Sequence, residues 1–200
     1  MILIYDNNGR ILRRVLAPDN EVGLYTDPDN NVMLYAGPLT GDSFVANGVV
    51  VERTPQPSPF HLWDWTQKAW AENVQAAKQA KYDAINSTVL GRRVSPIAYD
   101  GTVFDADAIA KERIISVILR GLRGGLLPAG WLGWKDRNNA LQWGALPWVQ
   151  VQTKLSGLAQ AIEDREQALL AKAWALKQVV SGAQTLAEVG AVDVETGWPT

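Results

Sequence analysis

Few side chains in this sequence could perform nucleophilic or metal-assisted chemistry. The chain of 200 residues contains no cysteine and a single histidine, His61, which excludes thiolate catalysis and Cys-type zinc sites. Sites that need two imidazoles, such as the HExxH zinc motif, are excluded as well. A Ser-His-Asp arrangement would have to use His61, and no GxSxG turn accompanies it. We therefore expect a protein that is not an enzyme and that holds neither a cofactor nor a metal.

One acidic stretch resembles the opening of a calcium-binding loop. Its pattern is Asp27-x-Asp29-x-Asn31, but Val32 stands where such a loop has glycine and Pro38 where it has glutamate. The calcium interpretation fails on both positions. Asp and Asn side chains in succession are typical of a turn, so we predict a turn between two strands.

Asp105 and Asp107 form a second acidic pair. Paired carboxylates can share acid–base chemistry, but helical side chains two residues apart diverge. Both aspartates directly precede the apolar-periodic segment 108–122, and aspartate is a preferred cap at the start of a helix. We predict helix capping here.

Tryptophan is the residue type that most strongly suggests binding. The segment HLWDWTQKAW, residues 61–70, contains three of the nine tryptophans. Indoles stack on sugars or bases and anchor protein interfaces, although a shared core joining two domains is the more ordinary use. We interpret this segment as such a joint, with Asp64 and Gln67 as a capping pair. The candidates for docking a partner are Trp63, Trp65, Trp70, Trp131 and Trp134.

Residues 1–53 are predicted to form a small antiparallel β head. Asn7-Asn8-Gly9 separates MILIYD from RILRRVL, as in a hairpin. The turns at 27–31 and 46–48 separate the further β-type segments EVGLYT, VMLYAG and VVVER. We expect about five short strands.

A proline-rich linker, residues 54–62, is predicted to follow the head. Pro55, Pro57 and Pro59 alternate along it, and proline cannot donate to a β-ladder and favours an extended chain. The linker would separate the head from a mostly α-helical domain, residues 63–200. The predicted fold class is therefore α+β.

After the tryptophan segment, ENVQAAKQAKYDAINS has helical composition, and Trp70, Val74, Ala77 and Ile85 are expected to lie near one helix face. A loop, GRRVSPIAYDGTVF, leads to the helix at 108–122. The residues expected to end that helix are Gly121, Gly124, Gly125 and Pro128. A tryptophan-rich loop and a helix from about Leu146 to Val180 follow, and the capping-box match TLAE at 185–188 predicts a short final helix.

The long helix carries an a/d heptad seam. Its apolar residues recur at steps of three and four, with Arg165 and Lys172 as interruptions. Two interpretations stay open: the stripe packs on the core of its own domain, or it pairs with further copies of the chain. The candidates for an oligomer seam are Trp148, Val151, Leu155, Leu158, Ile162 and Leu169.

The composition limits the classes of partner. Apolar residues make up 47% and charged residues 20% of a chain whose formal charge is −2, which is a globular composition without the cation excess of nucleic-acid binders. No apolar run reaches 18 residues, so no membrane span is expected. The pairs Arg13-Arg14 and Arg92-Arg93 are interpreted as solvated surface charges.

The order of several motifs resembles a known family. The motifs are the WDW…W segment at 63–70, Tyr99-Asp100-Gly101-x-Val103-Phe104-Asp105-x-Asp107, Trp134-x-Asp136-x-Asn138 and Thr185-Leu186-Ala187-Glu188-Val189. From about Trp63 to Trp198, the chain resembles a domain of unknown function that recurs in tail proteins of tailed bacteriophages and prophages. The head, with its VANGVV strand and RTP exit, is similar to small proteins associated with phage tail fibres.

This resemblance implies a structural component of a phage tail, at the baseplate or the point of fibre attachment. Such a protein would be made in the cytoplasm of the bacterial host and reside in the tail of the virion. Its partners would be other tail proteins and copies of itself, with a trimer favoured by the symmetry of phage fibres. Two alternatives stay open: a tail-fibre assembly chaperone absent from the mature virion, and a host-attachment module that binds surface glycans.

Overall fold

A computed structural model of the chain describes residues 1–26, 28–124, 126–127 and 129–199. The chain divides into two compact units, Met1–Asn73 and Val74–Thr200. Strands predominate in the first unit and helices in the second, so the predicted α+β class is confirmed. The turn predicted at Asp27 and the helix end predicted at Gly125 and Pro128 lie partly outside the described residues.

The main sheet of the first unit has three antiparallel strands, β1 (Ile2–Asp6), β2 (Ile11–Val15) and β3 (Asn30–Leu34). Their order is β2-β1-β3, so β1 is central and β2 and β3 are edge strands. Ile2 and Leu3 of β1 are fully buried. The core of this unit therefore lies along the central strand.

The β1–β2 hairpin confirms the turn predicted at Asn7-Asn8-Gly9. The carboxylate of Asp6 accepts hydrogen bonds from the backbone N–H groups of Asn8 and Arg10, both at 2.9 Å. Gly9 has a φ of +85°, and the carbonyl oxygen of Val45 lies 1.9 Å from where a Cβ would be. Glycine is thus required here both for the backbone angle and for the close approach of the neighbouring strand.

The next predicted strand, EVGLYT, is instead part of a 3₁₀ helix, Asp19–Tyr25. None of its residues is buried, so it lacks the buried face that stabilises a strand. The segment SFVA, for which no separate strand was predicted, forms β4 (Ser43–Ala46). The predicted β-type segment VVVER contains β5 (Val49–Glu52). Asn47 and Gly48 between them have φ of 51° and 74°, as the predicted tight turn requires.

The tryptophan segment forms a β-hairpin within the first unit, not an entrance to the helical domain. Strand β6 (His61–Asp64) pairs with β7 (Ala69–Glu72), and Trp63 lies opposite Trp70. The prediction that the second domain begins at residue 63 is therefore wrong, as is the placement of Trp70 on a helix face. The unit boundary falls after Asn73, where the first helix begins.

The turn of this hairpin uses the capping pair differently from the prediction. The Asp64 carboxylate accepts the backbone N–H groups of Thr66 and Gln67 at 2.8 and 3.0 Å. Lys68 has a φ of 51°, which completes the reversal. Asp64 thus closes a β-turn instead of capping a helix.

The proline-rich segment is fastened to the same hairpin. The indole N–H of Trp70 donates to the carbonyl of Thr54 at 2.8 Å, and the side-chain amide of Gln56 donates to the carbonyl of His61 at 2.8 Å. Ser58 Oγ lies 2.8 Å from Nδ1 of His61. Because these bonds lie within the first unit, the predicted linker is a strap on that unit.

Among its described residues, the second unit contains four helices and two short hairpins. Its elements in chain order are α1 (Val74–Arg93), β8 (Ile97–Tyr99), β9 (Thr102–Phe104), α2 (Ala108–Gly124), β10 (Trp134–Lys135), β11 (Leu141–Gln142), α3 (Trp148–Gly182) and α4 (Leu186–Gly190). Helix α3 packs on both α1 and α2. No helix among the described residues is long and apolar enough to cross a membrane.

The helix ends follow the predicted capping. The Asp107 carboxylate accepts the N–H of Ala110 at 2.8 Å, so Asp107 caps α2. Thr185 and Glu188 form both bonds of a capping box at α4. The loop predicted before α2 contains the β8–β9 hairpin, whose turn residues Asp100 and Gly101 have positive φ.

The apolar stripe of α3 is buried inside the second unit. Of the oligomer-seam candidates, five are at most 2% exposed: Val151, Leu155, Leu158, Ile162 and Leu169. The first four pack with Ile97, Phe104 and Ile114, and Leu169 packs with Ile85 and Trp198. Trp148 is half-buried against the same core. Of the two interpretations of the seam, the structure therefore supports packing on the domain's own core.

Candidate binding site: an arginine and tryptophan cluster

Three of the predicted docking tryptophans lie together in the first unit. The ring centroid of Trp63 is 6.3 Å from that of Trp65 and 5.3 Å from that of Trp70, and both pairs are close to perpendicular. Phe44 of β4 lies 5.2 Å from Trp63. All three indoles are half-buried. We call these four rings the indole cluster.

Arg53, directly after β5, lies over the indole cluster. Its guanidinium carbon is 5.6, 5.5 and 5.9 Å from the ring centroids of Trp63, Trp65 and Trp70, within the range of cation–π attraction. Its Nη2 also donates to the Asp42 carboxylate at 2.8 Å. Since its side chain is only 19% exposed, Arg53 is held rigidly by rings on one side and a carboxylate on the other.

A cavity of about 620 Å³ lies beside Trp65 and Arg53. We call it the arginine cavity, and its lining residues are Arg10, Ile11, Leu12, Arg13, Arg14, Gly41, Ser43, Arg53 and Trp65. The first unit has five basic residues, and Lys68 is the one that does not line this cavity. Among the described residues, none of those that line the cavity carries a carboxylate.

The four arginines differ in how they are held. Arg10 lies 5.8 Å from the ring centroid of Trp65, and Nη2 of Arg14 donates to the carbonyl of Thr40 at 3.2 Å. Among the residues that the structure describes, neither these two nor Arg13 forms an ion pair. Several arginines and an indole ring beside one cavity together suit an anionic ligand that can accept paired hydrogen bonds.

Sequence reasoning missed this convergence. Arg13 and Arg14 were interpreted as isolated surface charges, and Arg10 and Arg53 received no role of their own. A signal was present, because Arg10, Arg13 and Arg14 lie within five residues in a unit with few other cations. The position of Arg53 over the tryptophan rings depends on tertiary structure, and the spacing of these residues along the chain does not reveal it.

The docking candidates of the second unit have a different environment. Trp131 and Trp134 are half-buried and pack, with Trp143, against the core that Phe104 and Leu155 share. The indole N–H of Trp131 is buried and has no acceptor among the described residues. These rings therefore contribute to the core of their own unit.

A charge cluster in the second unit is fully paired. The Glu166 carboxylate accepts bonds from Lys111, at 2.5 Å, and from Arg93. The hydrogen bond from Lys111, with the charges of Lys111 and Arg93, holds the pKa of Glu166 below its ordinary value. Each charge has a partner from another helix, so the cluster joins α1, α2 and α3.

The described residues use several acidic side chains in turns, helix caps and ion pairs. They include no group of three or more His, Asp or Glu side chains placed to hold a metal ion. The hydrogen bond from Lys154 lowers the pKa of the Asp100 carboxyl, and the backbone N–H groups of Gln184 and Thr185, at the cap of α4, lower that of Glu188. A carboxylate whose pKa is lowered is a weaker base at neutral pH.

The fold defines the chain as an α+β protein with a helical second unit, and that unit identifies its family. A family model described as a domain of unknown function (DUF4376) matches residues 71–196, more than half of the chain, and the chain belongs to this family. No curated protein matches the chain, and no solved structure does. The arginine cavity lies outside the matched region.

Motif residues inside the matched region hold turns and helix ends. Asp100 and Gly101 form the β8–β9 turn, and the Asp100 carboxylate accepts a bond from Lys154 at 2.7 Å. The buried Asp136 accepts N–H groups of Asn138 and Ala140 at 2.8 and 2.9 Å. These motif residues thus stabilise local structure within the matched region.

Proposed function

We propose that this protein is a non-enzymatic structural component of a bacteriophage tail, at the baseplate or at the attachment of the tail fibres, and that it acts by docking to other tail proteins. The motif resemblance supports the setting. The observation that carries the docking role is the arginine and tryptophan cluster of the first unit, formed by Arg53 and the indole cluster.

Tryptophan and arginine are the residues that most often dominate the binding energy of protein interfaces. Here Trp63, Trp65 and Trp70 are half-buried, and Arg53 is held by Asp42. Side chains fixed before binding lose less conformational entropy when a partner arrives. The cluster is therefore suited to anchor a neighbouring protein.

The division of labour between the units is part of the proposal. The second unit has a well-packed aliphatic core and paired charges, as expected of a scaffold. The first unit supplies the docking surface. The cluster lies outside the family-matched residues, so the proposal assigns docking to a part of the chain that the family model does not cover.

Mass spectrometry of gradient-purified phage particles tests the setting. We expect this chain in the particles at a fixed ratio to the other tail proteins, with a multiple of three copies if the fibre symmetry extends to it. A chain present in infected cells but absent from particles would contradict the proposal and support the assembly chaperone.

A matched pair of tryptophan variants tests the docking surface. Trp65→Ala removes a ring of the cluster, and Trp174→Ala removes a ring that is 67% exposed on α3. We expect Trp65→Ala to reduce incorporation into particles at least about tenfold, as for a central interface residue, and Trp174→Ala to leave it unchanged. Equal incorporation of both variants would contradict the role of the cluster; loss of binding on an array of host glycans, with incorporation unchanged, would instead support the host-attachment module.

A further inference from the structure

The arginine cavity concentrates positive charge where the rest of its unit is acidic. Four arginines line it, and Asp42 is the carboxylate that pairs with one of them among the described residues. The acidic residues of the first unit number nine: Asp6, Asp19, Glu21, Asp27, Asp29, Asp42, Glu52, Asp64 and Glu72. Like charges brought together repel, so an anion that enters the cavity relieves this repulsion.

One wall of the cavity is an edge strand. Residues Ile11 to Arg14 of β2 line it, and β2 pairs on one side with β1 while no described strand pairs with its other side. The pairing with β1 shifts register at Leu12, which is the mark of a β-bulge. An edge with free backbone groups can accept an extended peptide as an additional strand.

Charge decides which strand this edge can accept. The arginines of β2 would repel the β2 edge of a second copy, which is how edge cations protect proteins from self-pairing. An acidic strand is attracted instead, because each carboxylate can accept a bidentate bond from a guanidinium. The same arginines thus exclude one partner and select another.

The surroundings favour a short acidic peptide over a long polyanion. A nucleic acid carries a phosphate at every nucleotide and would extend beyond the cavity over an acidic surface, where it is repelled. A strand that matches the five residues of β2 spans only about 17 Å. Such a segment confines its charges to the arginine cavity.

From these observations we infer that the arginine cavity docks an extended acidic segment of a partner protein, laid along the free edge of β2. Carboxylates of the segment accept bonds from the arginines that line the cavity, and Trp65 packs against the aliphatic part of its side chains. This inference rests on the proposed function in one respect, that the partner is another protein; it names the chemistry by which that partner is recognised.

Fluorescence anisotropy with the full chain and a labelled peptide tests the inference. The probe is a peptide of about eight residues with alternating glutamate and threonine, long enough to pass β2 at both ends. We expect saturable binding that weakens with rising salt, as an exchange of ion pairs requires. The same peptide with glutamine in place of glutamate is expected not to bind.

Two double variants distinguish binding in the arginine cavity from nonspecific attraction to positive charge elsewhere on the protein. Arg13→Gln with Arg14→Gln removes two cations of the cavity, and we expect binding to weaken at least about tenfold, since charge-assisted hydrogen bonds are lost. Arg120→Gln with Arg123→Gln removes two exposed cations of α2 and is expected to change nothing. Circular dichroism of both variants establishes that each remains folded.

Three results would overturn the inference. These are no binding of the glutamate peptide, equal binding to both double variants, and tighter binding of a single-stranded oligonucleotide or a sulfated oligosaccharide than of the peptide. A glutamate peptide N-methylated at every residue has no backbone N–H to donate to β2 from either edge, and undiminished binding of it would overturn the placement along β2. Peptide binding by a protein absent from virions would refute the tail setting alone, so the two failures are distinguishable.

Discussion

The two units of this protein use arginine in opposite ways. In the second unit, Arg165 is 7% exposed and donates to the carbonyls of Pro96 and Arg93 at 3.0 and 3.4 Å. In the first unit, Arg13 is exposed, lines the arginine cavity and forms no ion pair within the described residues. One cation is used to hold the fold, and the other is left for a ligand.

This difference distinguishes a charged side chain that stabilises the fold from one that is available to bind a ligand. A buried cation needs hydrogen-bond acceptors, because desolvation without compensation costs several kcal/mol. Burial lowers the pKa of Arg165, and the adjacent charge of Glu166 acts in the opposite direction. Solvated arginines can stay unpaired at little cost, so their convergence on one cavity has no structural explanation of its own. Convergence without a partner is therefore the better indicator of a binding site.

The largest expected effect is a loss of stability caused by a substitution in the core of the second unit. Leu155 is fully buried, and Leu155→Ala should lower the free energy of unfolding by about 3 kcal/mol through lost burial and a residual cavity. Val149→Ala, at a position 69% exposed on the same helix, should change it by less than about 0.5 kcal/mol. Urea unfolding monitored by circular dichroism measures both.

The same experiment examines the seam of α3. If its stripe packs inside one chain, the urea midpoints of the wild type and of Leu155→Ala do not depend on protein concentration. A midpoint that rises with concentration would indicate that association of copies contributes to stability, and would contradict the assignment of the stripe to the unit's own core.

A smaller effect sharpens the contrast between the two arginines. Arg165→Met keeps the aliphatic stem but leaves the carbonyls of Pro96 and Arg93 without their donor, so we expect a loss of about 2 kcal/mol in unfolding free energy. Arg13→Met should change stability by less than about 0.5 kcal/mol. Equal losses for the two variants would mean that Arg13 also has a structural role, and the contrast would fail.

The smallest effect concerns the pH dependence of the paired cluster. Because the folded-state pKa of Glu166 is lowered, chiefly by Lys111, its contribution is present above the unfolded value of 4.5 and is lost as the pH falls through the folded pKa. Glu166→Gln should therefore be less stable than the wild type at pH 7 by about 1 kcal/mol or less. This difference should shrink below pH 4.5; a difference independent of pH would exclude the ion pairs as its cause.

Local chemistry was predictable wherever the signal and its cause lie a few residues apart. Asn47-Gly48 predicted a tight turn, and Asp107 and Thr185 predicted helix caps, because their side chains or backbone angles act on immediate neighbours. The tryptophan segment was assigned to the wrong unit. Its two strands pair with each other, and the indole of Trp70 donates a hydrogen bond to Thr54 in the proline-rich strap. The helical composition that directly follows the segment favoured the incorrect assignment.

The sequence alone determined the fold class, the caps, the tight turns and the apolar stripe of α3, since each follows from residue periodicity or from bonds between near neighbours. Tertiary structure decided how those parts are used. The apolar stripe is buried in its own unit. Arg165, which interrupts the stripe in the sequence, donates a hydrogen bond to the carbonyl of Pro96. Arg53, which follows β5, lies over the indole cluster. Each of these outcomes depends on contacts between residues that are distant along the chain. Composition and residue spacing do not reveal which distant residues come into contact, so these outcomes could not be predicted before the fold was known.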